Sequence, residues 1–215
     1  MKKRILNITA FAFIFLSSTL QAASISLNTR AIDQGIDNSD FISTWGRQTS
    51  KITTTSLDEF TGFKSGHNSL SNLSVEFIVG KTADWGFRAG LDAHYGATLY
   101  LDGIEIGSRT DDLWWAKNWK HSDVMNLLGN NLIAGAHILD IYWAETCCNG
   151  ISSVEFMTEN SDWESLSVAN LEAASVPEPV TLALLAIGMV ILGTQSRNKG
   201  NDLSYKILNI KDEND

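Results

Sequence analysis

The chain has 215 residues, 44% of them hydrophobic and 19% charged, with a formal net charge of −9 and only two cysteines. Asp and Glu outnumber Lys and Arg by 25 to 16, so the clustered cations that a polyphosphate backbone requires are missing and nucleic acid is not an expected partner. With both ends set aside, the centre is long enough for one domain with a core of its own.

In chain order, Lys2, Lys3 and Arg4 lead into a largely apolar run from Ile5 to Leu16, followed by small and polar residues. A positive start, an apolar run too short for a bilayer and small exit residues describe a secretory signal peptide over residues 1–22, cleaved after Ala22 or Ala23. Residues 23–175 then form the expected ectodomain, an all-β antiparallel sandwich. From Ser24 to Lys64, rich in Ser, Thr, Asp and Gly, we expect a leading strand or two and loops. Beyond Leu73 the pattern has period two: Val75, Phe77 and Val79 alternate with Glu76 and Ile78, and Phe87, Ala89 and Leu91 with Arg88 and Gly90. Asp102-Gly103 is a favoured two-residue hairpin turn, which would set Leu101 against Ile104, Leu99 against Ile106 and Tyr100 against Glu105. "HSDVMNLLGNNLI" reads as including a short helix capped by Ser122 or Asp123. In "HILDIYWAE", His137, Leu139, Ile141 and Trp143 share one face, and the other face is also partly apolar, as in an inner strand. "ISSVEFMT" and "ESLSVANL" read as closing strands. Many short strands between turn signals indicate the sandwich.

The two cysteines, Cys147 and Cys148, are neighbours. Export puts them where thiols pair, leaving a vicinal disulfide, a link to another chain, free thiols or a metal. A vicinal bridge closes almost no loop, so its use would be to fix a kinked turn and present a flat sulfur face to a ligand. Asn149-Gly150 favours a tight turn at the same place.

Asp111 and Asp112 precede Trp114 and Trp115, with Glu145 just before the cysteines. Carboxylates beside indoles suit sugars, whose C–H faces stack on the rings while their hydroxyls bond to the acids; core packing is the plainer role for the tryptophans. Asp92 and His94, two apart at a strand end, point the same way. With Asp102 or Glu145 they could form a metal site, in which the hard carboxylates suit calcium and the histidine does not, so that Asp92 and Asp102 are the candidate ligands; the plainer alternative is a turn ordered by Asp92 with His94 exposed beside it. For catalysis there is no Gly-x-Ser-x-Gly elbow, no His-Glu-x-x-His and no phosphate-cradling glycine loop. A Cys147–His137 pair would be quenched by the adjacent thiol, and Glu145 with Asp112 is the remaining conceivable acid pair. No catalytic residue is assigned and an enzyme is not expected.

At the C-terminal end, Pro177-Glu178-Pro179 precedes an apolar stretch from Val180 to Gly193, then Arg197 and Lys199. The prolines break the chain before a helix. The apolar stretch alone spans about 21 Å at 1.5 Å per residue against a hydrocarbon core of about 30 Å, and flanking residues extend it to a membrane helix over 180–196. Basic residues after the span place the 200–215 tail in the cytoplasm and the body outside.

This ending resembles the PEP-CTERM sorting signal of Gram-negative bacteria, here residues 176–199. The resemblance implies recognition of Pro177, Glu178 and Pro179, with Arg197 and Lys199 as the basic cluster, by an exosortase-type membrane protease. It further implies transient anchoring, then release to the cell surface or extracellular matrix. The basic cluster is thin, and the chain runs on for longer after it than family members usually do. "GLDAHYGATLYLDG", "DDLWW", "GAHILDIYWAE" and "CCNG", in that order, resemble CCXG-type PEP-CTERM proteins and, more remotely, the sugar-binding β-sandwiches of the protective-antigen and flocculin type. In the latter an Asp-Asp loop binds calcium, and calcium holds the sugar; the corresponding loop here reads Asp92-Ala93-His94, with one acid of the pair. The expected function is therefore non-catalytic binding of a glycan or exopolysaccharide, with a ligand-free structural surface protein or a periplasmic hydrolase as alternatives.

Overall fold

Period-two alternation builds two inner faces, and these close on each other. The computed structural model describes residues 22–64, 66–148, 150–159 and 161–175. The expected signal peptide apart from Ala22, the Pro-Glu-Pro motif, the expected membrane helix with Arg197 and Lys199, and the 200–215 tail lie outside the described residues. Among the described residues no helix is long and apolar enough to cross a membrane. In chain order the elements are β1 (Ser24–Ala31), α1 (Phe41–Arg47), β2 (Thr53–Leu57), β3 (Ser69–Val79), β4 (Ala83–Gly90), β5 (Asp92–Ala93) and β6 (Ala97–Leu101). There follow β7 (Ile104–Arg109), β8 (Leu113–Trp114), β9 (Met125–Leu132), β10 (Gly135–Glu145), β11 (Ser153–Thr158), β12 (Glu164–Ser165) and α2 (Val168–Ser175).

A six-stranded sheet, ordered β2-β1-β3-β10-β6-β7, faces a four-stranded one, ordered β12-β11-β4-β9, and all the strand pairs are antiparallel. The alternation expected in β3, β4 and β10 holds: Val75, Phe77, Val79, Phe87, Ala89, Leu139, Ile141 and Trp143 are all buried in one core. Aromatic rings bridge the sheets, with Phe77 5.1 Å from Trp85 and 6.0 Å from Phe87 between centroids. Each such large apolar side chain contributes about 1.5–3 kcal/mol by leaving water. β10 lies between β3 and β6, the inner position its two-sided apolar content predicts.

Four local expectations change. The Asp102-Gly103 turn forms, and Leu101 pairs with Ile104 and Tyr100 with Glu105, but the register then slips so that Leu99 faces Gly107 rather than Ile106. Ile106 is the extra residue of a β-bulge, and Gly107 is where Leu127 crosses: a Cβ there would lie 2.5 Å from Leu127 Cδ2. The segment read as a helix after Ser122 is instead β9, which pairs with the open edge of β4; Gly129 at φ 75° and its asparagine neighbours disfavour a helix. Asp123 does not cap a helix but accepts the Trp114 N–H at 3.0 Å. "ESLSVANL" is a strand only at β12; the Ser167 hydroxyl then accepts the Asn170 N–H at 3.1 Å and starts α2. Besides its two strands, the leading segment contains α1, whose cap Asp40 accepts the Ser43 N–H at 2.9 Å. α1 helps bury Phe41 with Leu70 and Ala144 on the outer side of the larger sheet.

The two ends of β3 keep different company. Ser69 pairs with Glu145, the last residue of β10. Near the other end Ser24 pairs with Glu76, and the Ser175 hydroxyl donates to the Ile78 carbonyl. The first and last described segments thus meet at one pole, about 25–30 Å from the end of β10 at 3.3 Å per residue.

Candidate functional site

At the far pole, the ends of β5, β8 and β10 and the loop into β11 surround a cleft of about 390 Å³ lined by Asp92, His94, Asp112, Trp114, Glu145, Cys147, Cys148 and Gly150. Asp92 and Trp114 are paired across β5 and β8, so their side chains stand on the same face. Trp114 is 61% exposed, its indole free for stacking. Cys147 and Cys148 form a vicinal disulfide, and Cys148 takes a φ of 72°, unusual for a non-glycine residue.

Backbone donors fix both buried acids. Glu145 Oε1 accepts the N–H groups of Thr146 and Cys147, each at 2.7 Å, and Oε2 accepts that of His94 at 3.1 Å. Asp92 Oδ2 accepts the Gly150 N–H, while the Asp92 N–H itself donates to Ser152 Oγ at 3.1 Å. Gly150 has to be glycine for this approach, because a Cβ would lie 2.6 Å from Asp92 Cγ. The disulfide loop is thereby tied to both carboxylates. At the rim, Asp112 lies 3.9 Å from His94 Nδ1.

Burial raises the Asp92 pKa; the Gly150 N–H opposes it and the Asp112 charge adds to it. Burial likewise raises the Glu145 pKa, against the Cys147 N–H and with the help of Asp92. Both native values exceed the ordinary 3.8 and 4.5, so the folded state holds protons that the unfolded chain has released. Their stabilising effect is complete below those values and is lost as pH rises through the raised ones. Asp33, Asp37 and Asp111 are lowered, chiefly by side-chain hydrogen bonds to Thr49, Ser39 and Arg109, and contribute in the opposite sense, losing their stabilisation below pH 3.8. Asp92→Asn keeps an oxygen for Gly150 and removes the titration. In thermal melts from pH 4 to 8, its midpoint is expected to gain on wild type as pH rises; a constant gap would contradict the assignment.

Of the other residues singled out in the sequence, Asp111 pairs with Arg109 and does not line the cleft. Trp115 turns inward, 5% exposed, over Gly90, and its indole N–H donates to the Ile151 carbonyl at 2.6 Å. Asp102 stays at its hairpin, where it holds His137 Nδ1 at 2.7 Å and the Ile138 N–H at 2.9 Å. The sequence pattern does not assign Gly150 or Ser152 to the site; the tight "CCNG" turn is the available signal for the first.

Calcium finds few side-chain ligands here. Among the described residues no three His, Cys, Asp or Glu side chains are arranged to hold a metal ion. Three of the four carboxylate oxygens of Asp92 and Glu145 already accept backbone N–H groups, whereas calcium takes about six to eight oxygen ligands.

No family model and no curated protein matches the chain. Among solved structures it is similar to the PA14 sugar-binding domain from an RTX adhesin, with 10% identity and a TM-score of 0.47 over 69% of this chain and 97% of that one. The PA14 domain of the antifreeze protein MpAFP gives 10% and 0.47 over 71% and 92%. The epithelial adhesin 9 A domain of Candida glabrata, solved with Galβ1-3GlcNAc, gives 8% and 0.46 over 66% and 84%.

Proposed function

We propose that the chain is an exported, surface-presented β-sandwich that binds a glycan or exopolysaccharide without chemically altering it. What carries this reading is the cleft at the far pole, where an exposed indole, a sulfur face and two carboxylates fixed as hydrogen-bond acceptors converge. Sugars offer that set an apolar C–H face and several O–H donors. The three N–H bonds to Glu145 fix the position of its carboxyl group at the cleft wall. Sorting by an exosortase-type protease through Pro177-Glu178-Pro179, a membrane helix over 180–196 and delivery to the surface or matrix complete the proposal and rest on the sequence resemblance alone.

A glycan array that includes the producer's own exopolysaccharide, run with the ectodomain with and without EDTA, tests it. Binding that survives EDTA and weakens about tenfold or more in Trp114→Ala is the expected result. If no glycan binds, the ligand-free structural role takes its place.

A further inference from the structure

The cleft is selective in what it asks of a ligand. Its lining side chains include the carboxylates of Asp92, Glu145 and Asp112 and no lysine or arginine, with His94 beside Asp112 as the single basic group. Four backbone donors nearby are already used: the N–H groups of His94, Thr146, Cys147 and Gly150 all point at Glu145 or Asp92. Asp92 is only 8% exposed, yet its Oδ1 accepts no hydrogen bond among the described residues and belongs to the cleft lining. A carboxylate oxygen that has no protein donor and opens onto an acidic cleft takes its donor from solvent or from a ligand, and a charged donor suits it best.

A divalent metal is the usual answer, but among the described residues no three His, Cys, Asp or Glu side chains are arranged to hold one. An ammonium group is the other. It brings one positive charge and three N–H donors in a tetrahedral spread, and it needs no closed shell of oxygen ligands. The exposed Trp114 indole beside Asp92 provides the stacking face that a pyranose ring uses. Anionic sugars are repelled by the same three carboxylates.

We infer that the cleft recognises an amino sugar bearing a free amine, the amine seated against Asp92 Oδ1. This deepens the glycan-binding proposal and depends on it. The ligand class is then a de-N-acetylated aminoglycan rather than a neutral or uronic acid polymer.

Isothermal titration of the ectodomain at pH 6 with a glucosamine tetramer, its fully N-acetylated counterpart, a neutral glucose tetramer and tetralysine decides the matter. The expected result is that the free-amine sugar binds at least about tenfold tighter than the other three, with or without EDTA. Asp92→Asn, checked for folding by its melt, should remove most of that preference. Glu172→Gln, an equal change of net charge on the exposed side of α2, should leave it intact. Equal binding of the N-acetylated or neutral sugar overturns the amine inference while leaving glycan binding standing. Loss of binding in EDTA, equal binding of tetralysine, or an equal cost from Glu172→Gln also overturns it. If none of the sugars binds, the glycan reading itself fails.

Discussion

Gly96→Ala is expected to cost about 3–5 kcal/mol, a large part of the roughly 5–15 kcal/mol that holds a domain together. Two effects add. Gly96 sits at φ 81° in the turn between β5 and β6, where an L side chain costs about 1–2 kcal/mol. Its Cβ would also fall 2.0 Å from the Arg109 carbonyl oxygen and 2.9 Å from Thr110 Cα, both main-chain atoms that no rotamer change can move. Gly103 separates the two effects. It has nearly the same φ, 77°, and an added methyl there would meet nothing within 4 Å, so Gly103→Ala should cost only the conformational share, about 1–2 kcal/mol. Urea unfolding of the two variants side by side measures the difference. Equal losses would mean that the approach of β7 to the β5–β6 turn contributes nothing.

The second large effect is expected at Gly150→Ala. The added methyl would meet Cγ and Oδ2 of Asp92 at 2.6 Å and Oδ1 at 2.9 Å. Asp92 cannot swing away cheaply, because it is buried and its own N–H is bonded to Ser152. The loop has to retreat, breaking the Gly150 bond to a carboxylate, a charge-assisted bond worth about 1.5–3 kcal/mol. Glycan binding should fall by well over about tenfold, because the sulfur face moves with the loop. A double-mutant cycle supplies the check. In an Asp92→Ala background the obstacle is gone, and Gly150→Ala should cost far less stability than it does alone. If the two costs simply add, the contact between loop and carboxylate is not the cause.

How far the sequence foretold this molecule depended on whether neighbours or distant segments made the decision. β3, β4 and β10 were legible because strict alternation is a local signal, and a buried face makes register expensive to violate. The Asp102-Gly103 turn was legible for the same reason. The bulge at Ile106 was not, since it answers to Leu127, a residue from another strand pressing on Gly107. β9 was missed because its edge pairing with β4 outweighs a local pattern that reads as a helix. At the cleft, Asp92, Asp112, Trp114, Glu145 and the cysteine pair were all singled out and all line it. Asp111 and Trp115, their immediate neighbours, were drawn off by Arg109 and by the bare backbone at Gly90, partners whose pull spacing alone does not reveal.

The placement of both described termini at the Glu76–Ile78 end of β3 has a practical corollary. Whatever is fastened to either end, be it a lipid, a cell-wall polymer or a histidine tag on a sensor chip, leaves the Cys147–Cys148 rim on the far side of the molecule. The domain behaves like a lamp on a bracket: fixing the base does not shade the light. Reversing it, by circular permutation with new ends opened at the exposed Ala116-Lys117 turn, would alter that orientation and let an immobilised sample report whether outward presentation matters for capture of a large polymer.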